Sequence, residues 1–325
     1  MTVGQRGGDG DRLGTYGQVD EATRAVALGM LDLERPIHTF SLGEVLFDGY
    51  PGWATRRYEQ HLAIGGFDPG PGFAGEVISD APRGPNEMTS LEERVVCSFN
   101  IGSKVNGLAH AGRGHTYYGG RRLPDLVSDH GVTDLDTTTW GPPLLTRGLM
   151  FDVLSWVVEL GADELVDVTD EGALHLIDDY RITSEDLEQT REHQGLPRPR
   201  PGDALFVRTG WRNLIRADPE RYMHGGPGVW LPETEWLASF QPALVGTDAW
   251  CWGTRAPEVV QGRPGACHQV LLVDHGIRLA ESMNLDELAS AGVDRFVLVH
   301  APVQAMGAVS TIAPPIAIAN VRLPG

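Results

Sequence analysis

Cysteine is scarce in this chain: Cys97, Cys251 and Cys267 are the only three among 325 residues. Their spacing fits no metal-binding pattern and their number is odd, so reduced, mostly buried thiols are expected. Cys97 and Cys267 each fall beside a segment carrying site-like residues, which makes them candidates for lining a pocket. Long apolar runs are missing as well; nothing approaches the ~20 residues that a membrane span requires. Positive charge is in deficit, with 26 basic against 44 acidic residues and a net charge of −18. That balance argues against nucleic acid or an anionic membrane as partner. The acids are scattered and read as a solubilising surface. Residues 1–11 have neither the basic start nor the apolar core of a secretory signal. A cytoplasmic protein handling a small molecule is the expectation.

Two nucleotide signatures are also absent. No Gly-x-Gly-x-x-Gly follows a strand to open a helix, which argues against a dinucleotide fold. Gly102 and Gly107 have a spacing reminiscent of a phosphate loop, but the Lys-Ser/Thr pair that should follow is missing. No internal repeat is visible.

The elements that can be read alternate irregularly between strand and helix. Thr23–Leu33 carries apolar residues at helical spacing. Ile37–Phe47 reads as the first strand, and residues 65–85, rich in Gly and Pro, as part of a long irregular connection. Arg94–Ile101 reads as a strand and residues 112–120 as a Gly-rich turn. Ser184–Gln194 is the clearest helix, with Ser184 as its cap, acids in its first turn and Gly195 after its end. Asp203–Thr209, Ala243–Thr247 and Phe296–His300 read as buried strands. Pro232–Phe240 and Leu285–Ala291 read as helices, and His268–Asp274 as a helix or a strand end. Residues 1–20 are expected to form an N-terminal arm preceding one domain over 21–325.

The segment from Asn100 through Gly102, Ser103, Lys104 and Asn106 to His110 carries the most information. It resembles the signature of the cyclase family, the group that includes kynurenine formamidase and isatin hydrolase. That signature reads roughly His-x-Gly-Thr-His/Gln-x-Asp-x-x-x-His. The resemblance continues in order along the chain. It runs through Arg12-Leu13-Gly14-Thr15, Gly107-Leu108-Ala109-His110 with Tyr118 and Gly120, and Thr146-Arg147-Gly148-Leu149 with Asp152. Arg200-Pro201-Gly202-Asp203, Arg208-Thr209-Gly210-Trp211, Val245-Gly246-Thr247-Asp248, His268-Gln269 and Glu281-Ser282-Met283-Asn284 complete it.

The resemblance implies an α/β fold, the swivelling β/α fold of the kynurenine formamidase type. Its central mixed sheet is barrel-like, flanked by helices, and the assembly is commonly a homodimer or tetramer. In such relatives the N-terminal arm often reaches a neighbour's site. It also implies that His268 and Glu281 match the distant pair that completes a metal site. A divalent ion there would activate water and polarise an amide or lactone carbonyl.

The first motif departs from that requirement at three positions. Asn100 stands for histidine, Asn106 for the bridging aspartate, and Lys104 puts an ammonium where a cation would sit. Like charges at that range repel by several kcal/mol at low effective dielectric, an order-of-magnitude figure. The expectation is therefore a site without metal or other cofactor, in which Lys104 supplies the positive charge and stabilises an enolate or oxyanion. A structural salt bridge from Lys104 to Glu281 is the plain alternative.

His110 is the expected acid/base group, with Glu281 and His268 beside Lys104. Asn100, Asn106, His115, Tyr118, Trp250 and Trp252 are candidate substrate contacts. The activity expected is ring closure, ring opening or dehydration of a small hydrophobic carbonyl compound in a specialised-metabolite pathway. A metal-dependent amide or lactone hydrolase using His110, His268 and Glu281, and a non-catalytic binding protein on the same scaffold, are the alternatives.

Overall fold

Four segments of strand length are rich in apolar residues and buried almost throughout: Leu144–Asp152, Ala204–Arg208, Leu244–Thr247 and Arg278–Glu281. Such runs suit strands buried on both faces. In the computed structural model, which describes residues 10–321, they form the parallel centre of a nine-stranded sheet. The sheet is a curled half-barrel flanked by helices. Arg295–His300, Ile316–Asn320 and Ile37–Ser41 extend one side antiparallel. Lys104–Asn106 and Ser310–Thr311 extend the other.

Alternation along these strands divides the core into two layers. Leu149, Phe151, Leu205, Val207, Val245 and Leu279 face the helices Val153–Glu159, Ser184–His193 and Leu231–Ser239. Met150, Ala204, Phe206, Leu244 and Ala280 face the opposite side, against Phe40, Leu42 and Phe296. Each such fully buried side chain contributes about 1.5–3 kcal/mol of transfer free energy. Two thick apolar layers therefore hold the carboxyl ends of the parallel strands in place. In open α/β sheets those ends are where ligands bind.

Local signals placed most elements within a few residues. The helix Ser184–His193 is capped one residue earlier than expected: Thr183 Oγ1 accepts from the Asp186 amide and Asp186 returns the bond. Asp20 caps a helix over Glu21–Leu28. His268 closes a short turn, Ala266–His268, and Gln269–His275 continues it as a π-helix.

Two expectations are corrected. Residues 10–20 are no free arm: the Thr15 amide donates to Gly276 O (2.9 Å), and the Arg278 guanidinium stacks 4.1 Å from the Tyr16 ring centroid. Gly14 makes this docking possible, since at φ +56° a Cβ would lie 2.2 Å from Gly276 O. Residues 1–9 of the expected arm lie outside the described residues. The long connection is also more ordered than its composition suggested. Tyr58–Gly65 pairs antiparallel with Ser90–Cys97 and parallel with Glu76–Ser79 in a separate three-stranded sheet. Among the described residues no helix is long and apolar enough to cross a membrane.

Candidate active site

The strand Lys104–Asn106 runs antiparallel to Arg278–Glu281, with Lys104 directly opposite Glu281. Opposed residues in such a pair project to the same face, so the two side chains meet by register. Lys104 Nζ lies 3.4 Å from Glu281 Oε2 and donates to Trp250 O at 2.6 Å. Both side chains are 3% exposed, so little water screens the pair. Asn106 Nδ2 donates to Glu281 Oε2 (2.9 Å) and the Trp252 amide to Glu281 Oε1 (2.6 Å). His268 Nε2 lies 3.1 Å from the same Oε1. Asn100 donates its amide to Asn106 Oδ1, which orients the Asn106 amide towards Glu281.

The backbone around Glu281 is fixed in several directions. Ser282 adopts φ +55°, an uncommon value for a residue with a side chain. Its amide donates to Ala249 O (2.8 Å), its carbonyl accepts from Ser103 Oγ (2.5 Å), and Tyr222 donates to its hydroxyl (2.7 Å). Ser103 thus does structural work at the position where the family signature carries threonine.

Charge follows from these contacts. Burial alone would push the Glu281 carboxyl up, but Lys104, His268 and the donated hydrogen bonds outweigh it and hold it well below the usual carboxylate range. Glu281 is therefore an acceptor, and His268 Nε2 facing it is the donor. Burial lowers Lys104 from its ordinary 10.5, with Glu281 opposing the drop. His110 is pushed down to about 3 by burial and by the adjacent His268, whose ring centroid is 6.1 Å away. Burial, then Glu281, pushes the Cys251 thiol up to about 12.

A cavity of about 310 Å³ opens beside this network. Its wall includes His110, His268, Glu281, Trp250, Cys251 and Arg255, with Trp53 and Arg56 contributed by the segment before the small sheet. Of the expected site residues, His110, His268, Glu281 and Trp250 line it. Lys104, Asn100 and Asn106 are buried behind Glu281, among polar partners rather than in the wall.

Three expected substrate contacts are corrected. His115 is exposed in a turn and forms no part of the wall. Tyr118 is buried and donates to Asp11 Oδ2 (2.7 Å), packing the N-terminal segment instead. The Trp252 ring is a core side chain bonded to Thr234 Oγ1, and only its backbone serves the site. The cysteine expectation also shifts. Cys251 lines the cavity, whereas Cys97 and Cys267 do not.

Trp53, Arg56 and Arg255 were not singled out from sequence, because isolated loop residues carry no periodicity. One overlooked signal needed only counting. Lys104 is the sole lysine of the chain, and the other 25 basic residues are arginine. Protein labelled with 13Cε-lysine therefore gives one lysine signal. We expect its titration midpoint below 10.5, and lower still in Glu281→Gln, which removes the charge that supports the ammonium. A midpoint at or above 10.5 would contradict the burial argument.

These residues do not fit a divalent ion at the position implied by the signature. Both Glu281 oxygens already face donors, Asn100 and Asn106 are engaged with each other, and an ammonium stands 3.4 Å from the carboxylate. Donor atoms of Cys251, His268 and Glu281 do lie within 4.8 Å of one another. The same ammonium stands 3.4 Å from the carboxylate of that trio and opposes a cation there.

Residues 32–254 match the model of the Cyclase family, whose description reads "Putative cyclase", and the chain belongs to that family. It is an enzyme of the cyclase/hydrolase type. Among solved structures it resembles a novel cyclase with a TM-score of 0.75 at 23% identity, over 95% of each chain. Isatin hydrolase A from Ralstonia solanacearum gives a TM-score of 0.60 at 16% identity, covering 87% of this chain and 92% of that one. An isatin hydrolase bound to the product analogue thioisatinate gives 0.58 at 14%, covering 93% of this chain and all of that one (100%). The likeness to these structures is one of fold. No curated protein sequence matches the chain significantly.

Proposed function

We propose that this protein is a metal-independent member of the family that closes or opens a ring, or dehydrates, on a small hydrophobic carbonyl compound. The observation carrying the reading is the replacement of the signature's ligand positions by Lys104, Asn100 and Asn106: Lys104 and Asn106 face Glu281 directly, and Asn100 orients Asn106. His110 and His268 face the cavity and Glu281 sits at its floor.

His110 carries the proton transfer. Its low pKa keeps the imidazole neutral at ordinary pH, able to donate through one nitrogen and accept through the other. It takes the proton of the attacking nucleophile, which is water in ring opening or a substrate hydroxyl in closure. The nucleophile adds to the carbonyl carbon, and the proton returns to the departing heteroatom. Lys104 touches no cavity space and acts through Glu281. It keeps that carboxylate ionised, which in turn fixes the orientation and tautomer of His268. Lys104 is thus a positioning group here, rather than the direct oxyanion contact that the sequence suggested.

A chelation experiment tests metal independence. Turnover on a panel of aromatic lactones, esters and amides is expected to survive exhaustive chelation unchanged. Elemental analysis of protein prepared without chelators is expected to find well below one equivalent of zinc or manganese. Stoichiometric metal together with activity lost on chelation would overturn the reading, in favour of a hydrolase using Cys251, His268 and Glu281.

A further inference from the structure

The cavity is cationic although the protein carries a net charge of −18. Arg56 and Arg255 both line it, and each is stacked on a tryptophan that lines it too. The Arg56 guanidinium lies 5.3 Å from the Trp53 ring centroid, and that of Arg255 lies 5.2 Å from the Trp250 centroid. Several other buried or half-buried arginines are held by acids, Arg147 by Asp203, Arg208 by Asp152 and Arg212 by Glu44. Among the described residues no ion pair is formed by Arg56 or Arg255. The Arg255 Nε is buried with no hydrogen-bond partner.

Among the described residues Glu281 is the sole acid lining the cavity; it supports the Arg56 charge but is already paired with Lys104, so one carboxylate stands against Lys104 and the two arginines. Cys251 is a neutral thiol and His110 a neutral ring at ordinary pH. A buried guanidinium donor left without a partner is costly, and planar bidentate donors match a carboxylate best. The tryptophan rings beneath both guanidinium groups add cation–π attraction. Trp53, 56% exposed, offers an uncovered ring at the cavity mouth. A cavity of about 310 Å³ lies at the small end of the ~300–1,000 Å³ range of ligand pockets, suited to a compact molecule.

We propose that Arg56 and Arg255 form a carboxylate subsite, and that the substrate or product is an aromatic or conjugated carboxylate lying between Trp53 and Trp250. Its anionic end is gripped by the two arginines while its reacting carbonyl faces His110. This names the substrate class of the site above and rests on that cavity being the active site. The grip itself needs no turnover.

The test is binding of 1-naphthoate and of its neutral counterpart 1-naphthamide to the full chain, followed by tryptophan fluorescence and calorimetry. Naphthoate is expected to bind at least tenfold more tightly than the amide, and to weaken with added salt. Arg56→Gln and Arg255→Gln should each cost naphthoate about tenfold while leaving the amide unchanged. Arg255→Lys, which keeps the charge and loses the fork, should fall between. Thermal melting of each variant separates lost binding from lost folding, and Arg56→Gln in a loop supplies the measurement if Arg255→Gln does not fold. Equal affinity for acid and amide, no binding of either, or insensitivity to both arginines would each overturn the subsite. Because binding is read without catalysis, that failure is distinguishable from failure of the chelation experiment.

Discussion

Lys104→Met is expected to lose roughly 3–5 kcal/mol of stability, the scale for breaking a buried ion pair from one side, and on the order of 10²-fold in kcat/KM, because the carboxylate that orients His268 loses the charge that keeps it ionised. The first loss arises because Glu281 stays buried without its compensating cation. Its pH dependence has a definite sign. In the wild type the depressed Glu281 pKa contributes stability above the ordinary carboxylate range, lost as pH falls through the folded value. Without Lys104 that pKa rises, so the deficit is largest at neutral pH and shrinks on acidification. Thermal melts at pH 5 and pH 8 would show it.

The double variant Lys104→Met/Glu281→Gln separates structure from function. Removing both charges should recover most of the stability, since no uncompensated ion remains. Activity should stay lost, because His268 no longer faces a carboxylate. Full activity in the double variant would reduce the pair to a filler of the interior.

His110→Asn should be folded and slower by about 10²–10⁴-fold, the usual contribution of a positioned acid/base group. The pH profile is the sharper readout. With the folded pKa near 3, wild-type kcat/KM should show no inflection around 6.5 from this residue. An inflection there that vanishes in His110→Asn would contradict the neutral-imidazole role. Linkage gives a second sign. The unfolded chain takes up the proton first as pH falls from about 6.5 towards 3, so His110 weakens the fold in that window. The variant is spared that loss and should be relatively more acid-tolerant.

Much of this site was legible because its residues sit on strands whose pairing is dictated by apolar pattern. Leu279-Ala280-Glu281 against Lys104-Val105-Asn106 is such a case: once the strands pair, lysine must meet glutamate. Ordered motifs likewise brought His110 and His268 together. Proximity in sequence misled where the chain turns sharply. His115 and Tyr118 follow His110 within eight residues, yet the turn carries one to the surface and the other under the N-terminal segment. Trp250 and Trp252 are two apart, which in a strand would put both rings on one face, but the chain bends over residues 248–253 and sends one ring to the cavity and the other to the core. The small sheet was hidden because its strands are largely exposed and separated by Gly-rich turns. Arg56 and Trp53 reach the cavity through tertiary placement alone, which no local pattern encodes.

The lone lysine has a practical side. Apart from the chain's own amino terminus, the only amine an acylating reagent could find is sealed in the interior, 3% exposed and bonded on two sides. Acylation at that position therefore requires the sheet to open. The molecule carries an internal clock for its own unfolding, readable as a single mass increment and set by how often the strand bearing Lys104 parts from its neighbour.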